Sequence, residues 1–191
     1  MPLTLPAELK GIVAFLAAIW GVFLLALVLP IDLSTWGVVP RTATGLAGIP
    51  AMPFLHANWQ HLVSNTVPLF ILLVLLAGSK ARSWEVVIAI VLASGLLLWL
   101  IGRPAVHLGA SGLVFGLIGF LIVSGLMERR FVPLVISVGV IFFYGGSLLG
   151  GIMPWVDRHV SWEGHLSGAI AGGVIAYWLT SVADVRVDGA S

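Results

Sequence analysis

Six stretches of this chain are almost unbroken in apolar side chains, and charge, glycine and proline punctuate the gaps between them. The runs fall at about 9–29, 60–78, 85–102, 111–127, 131–150 and 163–182. Each approaches the ~20 residues a helix needs to cross ~30 Å of hydrocarbon, so the pattern predicts six membrane-spanning helices. The first run is longer than the core of a signal peptide and no small-x-small cleavage pattern follows it, which predicts a retained span. Residues 31–59 are too polar and too often broken by Pro and Gly to span. Their amphipathic character from Trp36 through Phe54 predicts a segment lying in the membrane interface.

Composition agrees with the pattern. The 191 residues are 60% hydrophobic and 9% charged, with a mean hydropathy of +1.13, whereas soluble domains are about a quarter charged. The expectation is a multi-pass integral membrane protein, all-α, forming one domain over 1–191. The absence of cysteine excludes a disulfide framework, a thiolate nucleophile and a cysteine-ligated metal. A net charge of +1 with scattered basic residues gives no electrostatic footprint for nucleic acid. Lys10, Lys80, Arg82, Arg129, Arg130 and Arg186 fall on one side of the predicted spans and Arg41, Arg103 and Arg158 on the other, so both termini are expected in the cytoplasm. Trp36, Trp59, Trp155 and Trp162 then lie near the outer interface and Trp84 and Trp178 near the inner one, while Trp20 falls mid-span, outside either belt.

Four residues carry the candidate chemistry: Ser111 within Gly109-Ala110-Ser111-Gly112, His165 at the start of the sixth run, and His61 and Asn65 near the start of the second, with Gly109 and Gly112 relieving backbone crowding around the serine. The second, fourth and sixth spans run in the same direction, so depths along them can be compared. At 1.5 Å per residue, Ser111, His165 and His61 stand roughly 26, 28 and 28 Å from the charges that close their helices, Glu128, Asp184 and Lys80. Asn65 is one turn deeper on the face of His61. Glycines at Gly112/Gly116 and Gly164/Gly168/Gly172 allow the fourth and sixth helices to approach closely, which carries Ser111 toward His165. Residues 102–110 are expected to be non-helical backbone, tolerated at membrane depth only where protein or a water-filled cavity surrounds it.

A serine hydroxyl is a weak nucleophile that needs an adjacent base, and a neutral imidazole is the usual one. Ser111 would be the nucleophile and His165 the base. The N–H groups at the start of the serine's helix, with His61 and the Asn65 amide, would stabilise an oxyanion. No carboxylate lies within an apolar run near His165 except Glu163, placed at the outer boundary, so a Ser-His dyad is expected in place of a triad.

The motifs resemble those of the rhomboid family of intramembrane serine proteases over most of the chain, from about Trp36 to Tyr177. Gly109-Ala110-Ser111-Gly112 looks like the family's G-x-S-G nucleophile motif. The stretch from His56 through His61 to Asn65 looks like its second-helix signature, and Gly164-His165-Leu166-Ser167-Gly168 like its sixth-helix histidine. The resemblance implies a six-helix rhomboid-like bundle, a Ser111–His165 dyad, and an oxyanion site formed by His61, Asn65 and the Ser111 backbone N–H. It also implies a first loop over 31–59 held in part by His56, a capping loop around 150–162, a fifth span beside substrate access, and an aromatic, Phe115, packed on the catalytic histidine. The Trp-Arg pair frequent in the family's first loop has no counterpart here, since Arg41 follows Pro40.

Taken singly, each residue has a plainer use: Ser111 as a helix cap, His165 and Asn65 as interhelical hydrogen-bond partners, His61 as an interfacial anchor. His56, His107 and His159 are expected to be solvated on the outer side. Tyr144 and Ser147 on the fifth span are open between cavity and packing. No metal site or cofactor is expected, because H-E-x-x-H is absent and His56 and His61 diverge on a helix. The resulting expectation is an endopeptidase that cuts transmembrane segments of other membrane proteins, in a bilayer that is a prokaryotic plasma membrane. The alternative is a non-catalytic rhomboid-like binder of client helices. A transporter is disfavoured by the absence of an inverted repeat and of midplane charge.

Overall fold

Long apolar runs closed by polar breakers can satisfy their backbone only by helix formation, and each predicted span is one helix to within a few residues. The computed structural model describes residues 5–29, 32–80, 82–128, 130–155 and 160–188. Arg129, Arg158 and His159 lie outside them. The long helices are α1 (Leu5–Val28), α3 (Trp59–Ser79), α4 (Ser83–Ile101), α5 (Ser111–Glu128), α6 (Phe131–Gly151) and α7 (Trp162–Asp188), and α2 (Ala43–Ala51) is short. Five of them, α1, α3, α4, α5 and α6, are long and apolar enough to cross a membrane. The helix α7 continues six residues past its expected end at 182: charge ends an apolar run without ending the hydrogen-bond ladder.

The helix at the centre is α5, buried continuously from Gly112 to Leu121. It packs on α7, α6, α4 and α3. Its contact with α7 is backbone against backbone. A Cβ at Gly168 or Gly172 would overlap the carbonyl of Gly112 or Gly116, and one at Gly119 would stand 2.5 Å from the Ala169 oxygen. Small residues therefore set this helix pair as the sequence pattern predicts, though the positions that must lack a side chain are chiefly those of α7. Gly112 itself has room for a Cβ, 3.5 Å from the Gly164 oxygen.

The segment between α1 and α3 is more closely docked than an amphipathic strip lying flat on an interface. It folds as a 3-10 turn (Leu33–Trp36), α2, and a second 3-10 turn (Met52–Phe54). Thr42 caps α2 by accepting from Gly45 N–H. Val38, Ile49 and Met52 form a small second core with Leu98 of α4. Arg41, at φ 59°, donates to the Leu100 and Gly102 carbonyls, neutralising the negative end of α4. The Trp99 indole donates to the Thr42 carbonyl at 2.7 Å.

Trp20, the tryptophan that fits neither interfacial belt, donates from its indole N–H to Thr66 Oγ1 at 3.1 Å. A buried indole needs such an acceptor. Lys80 and Glu128 form an ion pair across the ends of α3 and α5. Burial, and then the charge of Arg130, hold the Lys80 ammonium below its usual pKa. The end of the bundle opposite this pair carries the candidate site.

Candidate active site

Residues 102–110 are non-helical, as expected, and the structure gives the loop its own fastenings. Val38 and His107 exchange backbone hydrogen bonds, both 2.8 Å. Gly109 N–H donates to the Met52 carbonyl at 3.0 Å. Gly109 has φ +116°, a backbone state that favours glycine. A Cβ there would stand 2.5 Å from His61 Cε1. The His61 ring therefore lies directly over the turn that delivers Ser111 to the first position of α5.

His107, expected to be solvated, is instead 2% exposed. Its Nε2 lies 3.1 Å from the Arg103 carbonyl, which can only accept, so Nε2 carries the proton and Nδ1 receives the Ser161 hydroxyl at 2.6 Å. Ser161 Oγ in turn accepts from Gly164 N–H, capping α7. Burial is the largest cause of a lowered pKa for His107, consistent with this neutral tautomer. Glu163, placed at the outer boundary by the sequence, is 3% exposed. It pairs with Arg103 at 3.4 Å. The loop that precedes the serine and the helix that carries the histidine are thus joined by an ion pair and a histidine–serine bond. Nothing in the sequence pairs His107 with Ser161, because the contact spans 54 residues.

His165 stacks on Phe115, ring centroids 4.0 Å apart and planes 8° from parallel. Ser111 is one turn from Phe115 on the same face of α5, so the stack brings His165 beside the serine. Among the described residues no hydrogen bond joins the Ser111 hydroxyl to the His165 ring. The ring is held on its other side, with Nδ1 2.9 Å from the Gly151 carbonyl. Ser111 and His165 are both partly exposed.

The second-span residues gather on the opposite flank. Asn58 caps α3, its side chain accepting from His61 N–H at 2.8 Å. Asn65 is buried, and its amide donates to the His61 carbonyl at 2.7 Å, which uses one of its two N–H bonds. His56, another residue expected to be solvated, is half-buried with its ring 5.0 Å from that of His61. Its Nε2 accepts from Ala110 N–H at 3.4 Å. Burial, then the neighbouring His61, push the His56 pKa down to about 4. Tyr144 is partly buried and Ser147 exposed. No group of three metal-ligating side chains occurs among the described residues.

A family model, the Rhomboid domain, matches residues 43–182. The chain belongs to the rhomboid family. The match spans α2 through most of α7 and so includes every residue of the site. Among similar proteins, an uncharacterized protein of Mycobacterium tuberculosis is 44% identical over 180 residues, 89% of this chain and 74% of the relative. One from Mycobacterium leprae is 43% identical over the same length, covering 70% of the relative. Rhomboid-like protein 11, chloroplastic, of Arabidopsis thaliana is 31% identical over 144 residues, 67% of this rhomboid and 50% of the plant protein. Family and spans together make this rhomboid an integral membrane protein.

Proposed function

We propose that this rhomboid is an intramembrane serine endopeptidase acting through a Ser111–His165 dyad on transmembrane segments of other membrane proteins. The observation that carries the reading is the Phe115–His165 stack, which seats an imidazole one helical turn from a serine at a helix N-terminus. Ser111 Oγ attacks the scissile carbonyl carbon while His165 Nε2 takes its proton. The oxyanion is stabilised by the Ser111 N–H, the positive end of α5, His61 and Asn65. Collapse breaks the C–N bond, with His165 returning the proton to the leaving amine, and water then hydrolyses the acyl-enzyme by the same route in reverse. Gly109 supports the site by letting the His61 ring close over the turn, and Gly112 by its contact with α7.

In this reading 1–191 is one rhomboid domain, α7 is the sixth span, both termini are cytoplasmic, and the membrane is a prokaryotic plasma membrane. Substrate bonds must leave their helix to be cut, which favours segments with Gly or Pro and a small residue at the cut.

Purified protein and Ser111→Ala, reconstituted with single-span model substrates in liposomes, test the reading. Cleavage is expected with the wild type only, and labelling by a fluorophosphonate at Ser111 only. Cleavage by both proteins, or by neither with several substrates, overturns it, the second result favouring a non-catalytic binder of client helices.

A further inference from the structure

The atom that orients His165 belongs to no side chain. Its Nδ1 lies 2.9 Å from the carbonyl oxygen of Gly151, and because a carbonyl only accepts, the hydrogen of the neutral ring is on Nδ1 and the lone pair on Nε2. Gly151 is the last residue of α6. A Cβ at this position would overlap the Phe115 ring and stand 3.1 Å from His165 Nδ1. Only a residue without a side chain lets the main chain close on the imidazole while Phe115 covers its face.

The helix that supplies this carbonyl is anchored unequally. Its buried residues are Pro133, Ser137 and Val140, all in the half remote from the site, where the Ser137 hydroxyl donates to the Ile122 carbonyl of α5 at 3.1 Å. In the half nearer the site Phe142 and Phe143 are 79% and 75% exposed, and Gly146 and Gly150 face open space. Tyr144, Leu148 and Ile152 pack only partly buried against the core. Among the described residues, the Gly151–His165 bond is the hydrogen bond tying this half of α6 to the rest of the bundle.

Resting on the dyad reading, we propose that Gly151 is a positioning residue for the base: its carbonyl holds His165 as the Nδ1–H tautomer, with Nε2 presented to Ser111, only while the Gly151 end of α6 lies against α5 and α7. Which imidazole nitrogen is protonated follows the hydrogen bond made by the other. Displacing the end of α6 therefore releases the ring to the opposite tautomer, whose Nε2 can take no proton from the serine. In a serine protease triad the wrong tautomer costs about 10⁴ in kcat. The arrangement gives this chain the orienting function of a triad carboxylate without a charge.

The test is nitrogen-15 NMR of histidine-labelled protein in detergent near pH 8, with His165 assigned by difference against His165→Asn. The wild type is expected to show a protonated Nδ1 and an unprotonated Nε2. In Gly151→Ala the Nε2–H form appears and fluorophosphonate labelling of Ser111 slows at least about tenfold. In Gly150→Ala, whose added methyl meets open space, neither changes. An Nε2–H ring in the wild type overturns the proposal, as does a Gly151→Ala variant that loses thermal stability yet keeps the tautomer and labelling rate. If Gly151→Ala does not fold, the wild-type spectrum alone decides. The tautomer is read without turnover, so an Nδ1–H ring in a protein inert to reagent and substrate refutes the protease reading while leaving the hold of the Gly151 carbonyl on the ring intact. An active enzyme with an Nε2–H ring does the opposite.

Discussion

Gly109 and His56 show what single residues do at the serine turn. Gly109 combines φ +116° with a His61 ring where a Cβ would stand. Gly109→Ala is expected to lose about 1–3 kcal/mol of stability from the strained backbone alone, and its His61 displacement lowers cleavage further; thermal unfolding and substrate cleavage measured together check both. Removing a donor from the proposed oxyanion site, as in His61→Ala, is expected to cost about 10²–10³ in kcat, read with a model substrate. His56 accepts a hydrogen bond from Ala110 N–H, so only its unprotonated Nε2 fits the fold. With its folded pKa pushed down to about 4 from 6.5, the unfolded chain binds a proton that the folded chain refuses between those values. The stabilisation is complete above pH 6.5 and is lost as pH falls toward 4. Unfolding temperatures across that window should fall in the wild type and stay flatter in His56→Gln.

At the scale of elements, the pair α5 and α7 fixes the geometry of the proposed dyad, whereas α6 stands at the edge. A Cβ at Gly172 would overlap the Gly116 carbonyl, and two backbones in contact cannot yield independently. Gly172→Ala is expected to cost about 1–3 kcal/mol through overpacking and to reduce activity by shifting His165 relative to Ser111. Gly139→Ala on α6 meets open space and replaces glycine in a helix, so it should be neutral or stabilise by up to about 1 kcal/mol. Unfolding temperatures of the two variants in one detergent give the comparison, and equal effects would contradict the packing argument. The segment between α1 and α3 is equally a matter of element contacts: Arg41 and Trp99 bind it to the end of α4, which is why an amphipathic stretch becomes a docked one.

Across the whole molecule, charge is divided between the ends. Lys80, Glu128 and Arg130 gather at one end of the bundle, and Arg41, Arg103 and Glu163 at the other, beside the site. The proposed topology places the second group outside. The chain has no cysteine, so single cysteines report sidedness without background. Trp155→Cys, at a residue 79% exposed near the site end, should be labelled in intact cells by a membrane-impermeant thiol reagent. Arg82→Cys should be labelled only after permeabilisation, and the reverse pattern would invert the topology.

Apolar periodicity and its breakers determined the long helices, their order and nearly all their limits, because a helix is specified by neighbours along the chain and by a bilayer's demand that backbone groups pair within it. The motifs around Ser111, His61, Asn65 and His165 were legible for a related reason: polar side chains stand out against hydrocarbon. Tertiary structure alone decided how these parts are held. Arg103–Glu163, His107–Ser161 and the grip of the Gly151 carbonyl on His165 join residues far apart in sequence, and in the last the working group is a main-chain oxygen that every residue possesses. Its chemical use comes from where the chain returns and from the missing side chain that lets it come so near.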